Sequence, residues 1–241
     1  MLRIFFILLC TLVIYEFVFA ESSSSIELLR IGSFHGDEVG AESGESWLSL
    51  APCPQGECLE GVILKITLEE DPIVDEGGAK TGKAISFQND GVGLANRSLF
   101  LVRSSLFRAG PVEVAKRVER EGPMYPGQRT IYGLKTSPGY RLFATGEGAK
   151  ADYLDVTMKD YCLHLRMDKQ LQTLMCLQRV NQEGIVPNVL WAGDLDRDGK
   201  LDLLIDTSNH YNVTEQTLYL SSLATKGELV GKAAIFRATG C

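Results

Sequence analysis

The sequence predicts a mainly β, antiparallel protein with one or two short helices, and three observations predict it. Apolar residues alternate with their neighbours over short stretches, as at Val62, Leu64, Ile66 and Leu68. Turn signals rich in Gly, Asn, Asp and Pro separate those stretches at near-regular intervals. No pattern of strands alternating with long helices appears, which argues against a parallel α/β sheet. With 45% apolar and 23% charged residues among 241, the chain is neither disordered nor of low complexity.

Residues 1–20 read as a signal peptide. Arg3 supplies the positive start, Ile4 to Tyr15 the apolar stretch, and Val18-Phe-Ala20 the small residues a signal peptidase reads, which puts the mature start at Glu21. An uncleaved anchor is the competing reading, but the apolar run is about 12 residues where roughly 20 span a bilayer. Leu9 stands before Cys10 where a lipoprotein needs a small residue, so lipidation is not expected. No later stretch approaches about 18 apolar residues, so no stable membrane span is expected after cleavage. Residues 21–241 are read as a single β-rich domain, dividing near 124–129 if it divides into two halves; Ser22 to Ser25 is read as a frayed terminus.

The first group with chemical interest is His35-Gly-Asp37-Glu38 with Glu42 and Glu45 beside Trp47. A solvated acidic loop is the plain reading; an acid/base or metal cluster is the sharper one. Export makes Cys53, Cys58, Cys162, Cys176 and Cys241 interpretable as two bridges and one leftover thiol, and Cys241 is the expected odd one. In Cys53-Pro-Gln-Gly-Glu-Cys58 a tight turn can close a small disulfide ring. Their intervals match no zinc pattern.

Further strands are expected at Ala84 to Phe87, Ser98 to Val102, Thr130 to Leu134, Tyr140 to Ala144 and Tyr153 to Met158. Asp75-Glu-Gly-Gly, Asn89-Asp-Gly, Ser137-Pro-Gly and Gly146-Glu-Gly mark turns. One helix is predicted from Pro111 to about Arg120: Pro suits a first helical position, Val112, Val114, Ala115 and Val118 lie towards one side, and Gly122-Pro123 would stop it.

Tyr161 to Val180 reads as a hairpin. If Asp168-Lys169-Gln170 form its loop, Cys162 lies opposite Cys176 at disulfide distance; a two-residue Asp168-Lys169 turn would face Cys162 with Met175 instead.

The most specific signal is Trp191-Ala-Gly-Asp194-Leu-Asp196-Arg-Asp198-Gly199-Lys200-Leu-Asp202. Acidic residues at loop positions 1, 3, 5 and 9, with Gly at 6 and the Lys200 carbonyl at 7, supply oxygen ligands around a tight turn. Like charges about 4 Å apart repel by roughly 4 kcal/mol per pair at an effective dielectric of about 20, so such a loop calls for a cation. Hard oxygen donors favour calcium (Ca2+) over zinc. Ile205 stands where an EF-hand has its last Glu, and the flanks alternate like strands. The segment 190–206 resembles the calcium-binding hairpin loop of FG-GAP repeats, the integrin-type propeller repeat. That resemblance implies Asp194, Asp196, Asp198 and Asp202 as calcium ligands with the Lys200 carbonyl. Only one copy is present, so a full propeller is not expected. The whole chain is similar to exported bacterial proteins carrying such a loop near the C-terminus, which implies no activity.

The 31 acidic residues outnumber the 24 basic ones, giving a net charge of -7 without a long Lys/Arg run, so nucleic acid and anionic membranes are not expected partners. His164 and His210 are single histidines, no hydrolase elbow, phosphate loop or His-Glu-x-x-His motif appears, and Asn96-Arg-Ser and Asn212-Val-Thr fit glycosylation sequons. The expectation is an exported, periplasmic or extracellular protein whose structural calcium stabilises a binding or envelope-associated module for a protein or glycan. The alternative is an exported hydrolase using carboxylates near Asp37 to Glu45 or His164. Binding would show as a groove lined by exposed aromatics such as Trp47 or Tyr211, and catalysis as a deep pocket where carboxylates and a histidine converge.

Overall fold

The computed structural model describes residues 25–88, 90, 93–119, 122–148, 158–180 and 186–240. The expected signal segment, Ser22 to Ser24 of the expected frayed terminus, part of the Asn89-Asp-Gly turn, the strand expected from Tyr153 apart from Met158, and Cys241 lie outside the described residues.

The strands are β1 (Glu27–Leu29), β2 (Gly32–Phe34), β3 (Ser46–Cys53), β4 (Gly56–Glu69), β5 (Gly82–Phe87), β6 (Phe100–Arg103), β7 (Gly110–Val114) and β8 (Lys116–Glu119). They continue as β9 (Arg129–Gly133), β10 (Pro138–Glu147), β11 (Met158–Met167), β12 (Gln170–Val180), β13 (Asn188–Asp194), β14 (Asp202–Asp206), β15 (Val213–Leu220) and β16 (Gly231–Thr239). All pairings are antiparallel. The larger sheet runs β1-β6-β3-β4-β7-β13-β14-β15-β16, with β5 and β2 added along the far half of β4. β1 comes back alongside β16, so this sheet nearly closes into a barrel. The smaller sheet runs β12-β11-β10-β9-β8. The architecture is mainly antiparallel β and is not a propeller.

The predicted helix at 111–120 is not formed. That stretch is β7, a break at Ala115, and β8; among the described residues two short 3-10 turns, Ala95–Arg97 and Ser221–Leu223, are the helical elements. The valines at 112, 114 and 118 satisfy a period of two as readily as a helical face, and strand partners decide between them. Glu57 pairs with Val112 and Cys58 with Pro111, Gly193 pairs with Val114, and the Ala115 amide donates to the Ala192 carbonyl. Tertiary pairing thus overrides the local signal.

Two cores result. One fills the larger sheet and includes Leu50, Leu59, Phe100, Trp191, Leu195, Leu218 and Phe236. The other lies under the smaller sheet and joins its inner residues Tyr132, Leu142, Tyr161, Leu163 and Leu165 to Val189, Leu201, Leu203, Ile205 and Tyr219. β13, β14 and β15 therefore lie between both cores, which is why Leu201 to Ile205 is buried at every position. In the smaller sheet, Tyr140, Leu142 and Ala144 face inwards, while the residues between them face solvent.

Both expected disulfides are present, Cys53–Cys58 and Cys162–Cys176. The second is reached by a route the sequence reading did not foresee. The turn has two residues, Asp168 and Lys169, with Met167 opposite Gln170 and His164 opposite Thr173. Leu174 is then left unpaired as a bulge, Leu163 faces Met175, and Cys162 faces Cys176. The bulge restores the register that the three-residue loop was invoked to provide.

Candidate metal centre

The acidic loop joins β13 to β14 and is positioned from below by two leucines. Leu195 is fully buried in the first core and Leu201 in the second, so the loop is pinned at both flanks. Gly193 precedes it because nothing larger fits: a Cβ there would lie 2.4 Å from both the Glu113 carbonyl and the Trp191 ring. Gly199 has φ +82°, a backbone conformation that favours glycine.

Asp194, Asp196 and Asp202 each bring one carboxylate oxygen to a common point, all within 4.8 Å of one another, and this group could hold a metal ion. Asp194 and Asp202 are buried and Asp196 is half-buried. The carboxylates are held by donors from the loop itself. Asp194 accepts from the amides of Asp198 (3.0 Å) and Gly199 (2.9 Å), and Asp202 from that of Leu195 (2.7 Å). Burial pushes Asp202 up to about 8, and the charge of Asp196 adds to the effect. Asp194 is also raised, first by burial and then by the charges of Asp198 and Asp196. A buried acidic group is relieved either by a proton or by a cation, and this one has the donors to hold a metal ion.

Asp198 turns to a different partner. Both of its oxygens accept from Ser221 Oγ at 2.9 Å, and Oδ1 accepts from the Lys200 amide at 2.9 Å. Ser221 Oγ also reaches Asp202 Oδ1 at 3.1 Å, so one hydroxyl links Asp198 to the triad, and the Ser221 amide donates to Asp202 Oδ1 at 2.8 Å. Ser222 Oγ bonds Asp196. Lys200 exposes its ammonium 3.9 Å from Asp198 Oδ2. The serines of the 3-10 turn after β15 were not singled out from the sequence, and Ser-Ser after an apolar strand carries no signal that could have found them.

The loop also grips its surroundings. Arg197 Nε and Nη2 donate to the carbonyls of Pro111 and Arg108, and the Gly199 carbonyl accepts from Thr136 (2.7 Å) and Ser137 (3.1 Å). Thus the acidic loop touches the β6–β7 connection, the β9–β10 turn and the turn after β15.

The other acidic candidates are dispersed. His35 Nδ1 bonds Asp71, which is 3% exposed and lies outside the group chosen from the sequence. Glu38 accepts from the His35 amide and from Thr239 in β16, and Glu45 binds Trp47 Nε1 and Arg103. Trp47 is buried beneath the Arg103 guanidinium, whereas Tyr211 is exposed and stands beside His210. His164 has both ring nitrogens engaged, by Thr145 and Thr173. Among the described residues no helix is long and apolar enough to cross a membrane.

No protein-family model, curated protein or solved structure matches the chain.

Proposed function

We propose that this is an exported, calcium-binding β protein in which the ion is structural and stabilises a binding or envelope-associated module. The observation that carries the reading is the convergence of Asp194, Asp196 and Asp202 oxygens around one point, with Asp202 fully buried. An all-oxygen donor set is hard and suits calcium more than zinc. The spacing of the loop, which resembles the FG-GAP calcium hairpin, supports the same ion; by that resemblance Asp198 and the Lys200 carbonyl would join the shell on ion binding, Asp198 by turning from the Ser221 hydroxyl that it meets in the structure. Two disulfides suit an oxidising compartment. A divalent guest here would hold together a loop that already contacts three other connections, which is a stabilising task rather than a catalytic one.

Calcium at about 100 times its dissociation constant would stabilise the fold by about 2.7 kcal/mol. For a chain of this size that corresponds to a rise of roughly 5–10 °C in melting midpoint. Thermal melting of the mature protein in calcium and then in excess chelator tests this. An unchanged midpoint overturns the reading, and so does a zinc response that exceeds the calcium one.

A further inference from the structure

We propose that the outer face of the smaller sheet binds an acidic saccharide, a sugar chain bearing sulfate or carboxylate groups. The inference goes beyond the calcium reading and does not depend on it, since different strands carry it.

Directly opposed residues in an antiparallel sheet share a face. Arg141 on β10 is opposite Arg166 on β11, and in the next row Phe143 lies between Arg129 on β9 and His164 on β11. Three guanidinium groups from three adjacent strands thus surround one aromatic residue. Gln128, Arg129, Arg141, Phe143, Thr145 and Arg166 line a cavity of about 360 Å³ there, a volume typical of small-molecule sites. Like charges placed directly across a strand pair destabilise it. Neutralisation is sparse: Arg129 meets Glu119 at 3.5 Å between exposed side chains, Arg166 Nε donates only to the Asp168 carbonyl, and Arg141 has no ion-pair partner among the described residues. A basic cluster that is costly in isolation, on a chain of net charge -7, fits an anionic ligand.

The centre of the cluster points to a sugar. Phe143 and the His164 ring are stacked with centroids 5.1 Å apart, and Thr145 and Thr173 fix the imidazole from both sides. In the next row of the same face the Cys162–Cys176 disulfide joins β11 to β12. The result is a rigid apolar floor ringed by guanidinium groups, suited to the C–H face of a sugar whose acidic substituents reach the arginines. Three cations are few for a nucleic-acid track. Leu171, opposite Arg166, and Val118, at the other end of the same row beyond Ile131, are the exposed large aliphatic side chains of this row among the described residues, two separated groups with too little apolar area for insertion into a lipid surface.

Titration calorimetry of the mature protein with dextran sulfate, polygalacturonate and neutral dextran oligosaccharides of equal length, at about 50 mM salt, tests the proposal. Binding of either acidic chain and not of the neutral one is expected, and the preference between the two identifies the acidic group. Arg141→Gln and Arg166→Gln should each weaken binding about tenfold. Arg237→Gln, on the larger sheet, should leave it unchanged. Phe143→Ala should weaken the saccharide without changing the affinity for inorganic sulfate. Arg141→Gln should also melt no lower than wild type, because it relieves a like-charge pair; a residue with a merely structural role would lower the midpoint. Equal binding of neutral dextran, an equal loss in Arg237→Gln, or tighter binding to duplex DNA or to phosphatidylserine vesicles overturns the proposal.

Discussion

Arg197 Nε donates to the Pro111 carbonyl at 3.0 Å, across 86 residues of sequence, while Nη2 of the same side chain reaches the Arg108 carbonyl at 3.0 Å. The arginine that sits among the loop's carboxylates is thereby turned away from them and spends its donors on a neighbouring connection. Its cation does not neutralise the acidic point, and its φ of +65° is the backbone conformation that accompanies this outward turn.

Arg197→Ala should lower stability by about 1 kcal/mol, since two hydrogen bonds from an exposed side chain are lost. The calcium-dependent rise in midpoint should persist. Differential scanning calorimetry with and without calcium checks both, and a lost calcium response would mean that Arg197 shapes the acidic site itself.

Asp196→Asn keeps an oxygen for the Asp198 amide and turns an NH2 donor toward the Ser222 hydroxyl, which can accept it, while one negative charge is removed. The calcium-induced rise should shrink by at least half, whereas the midpoint in chelator should stay level or increase because repulsion is relieved. Parallel melts of variant and wild type read this directly. A full calcium response in the variant would argue against a role for Asp196.

Replacing Cys162 and Cys176 together by Ser should cost about 3 kcal/mol, the loss expected for a loop of roughly 15 residues. Urea denaturation should show a lower midpoint, and dithiothreitol should shift the wild type by more than the variant, which has only the Cys53–Cys58 bridge left to lose.

The His35–Asp71 pair gives a pH signature. Its hydrogen bond to Asp71 raises His35 above 6.5, and the same bond holds Asp71 below 3.8. The histidine contribution is complete below 6.5 and is lost as pH rises through the folded value; that of the aspartate is complete above 3.8 and is lost as pH falls through its own. The stability difference between wild type and His35→Gln should therefore be greatest between about pH 4 and 6.5 and decline on either side. Thermal melts across pH 3 to 9 measure it, and a flat difference would show that the pair is not ionic.

Much of this molecule is legible along the chain. Val62 to Leu68, Tyr140 to Ala144 and, of the expected Ser98 to Val102, the part from Phe100 onward lie in strands because alternation reports a half-buried face. The Asp-x-Asp-x-Asp-Gly spacing is a local property, so the sequence alone points to Asp194, Asp196 and Asp202, which the structure groups together. What escaped is non-local. Val112, Val114 and Val118 fit a helix or a strand equally until β4 and β13 supply partners. The bulge at Leu174 depends on how β12 packs, and Asp71 meets His35 only after β4 and β5 are in place. Arg129, Arg141 and Arg166 are single residues in sequence and form a cluster solely through register.

Ala115 is where a continuous backbone leaves the larger sheet as β7 and enters the smaller one as β8, while β13 to β15 seal a core on each side. Neither sheet can come apart without uncovering the apolar side of its neighbour, so heat should dissolve both in one cooperative transition. A loop that ties their margins together then acts on the whole molecule at once, as a rivet through both plates rather than a patch on either.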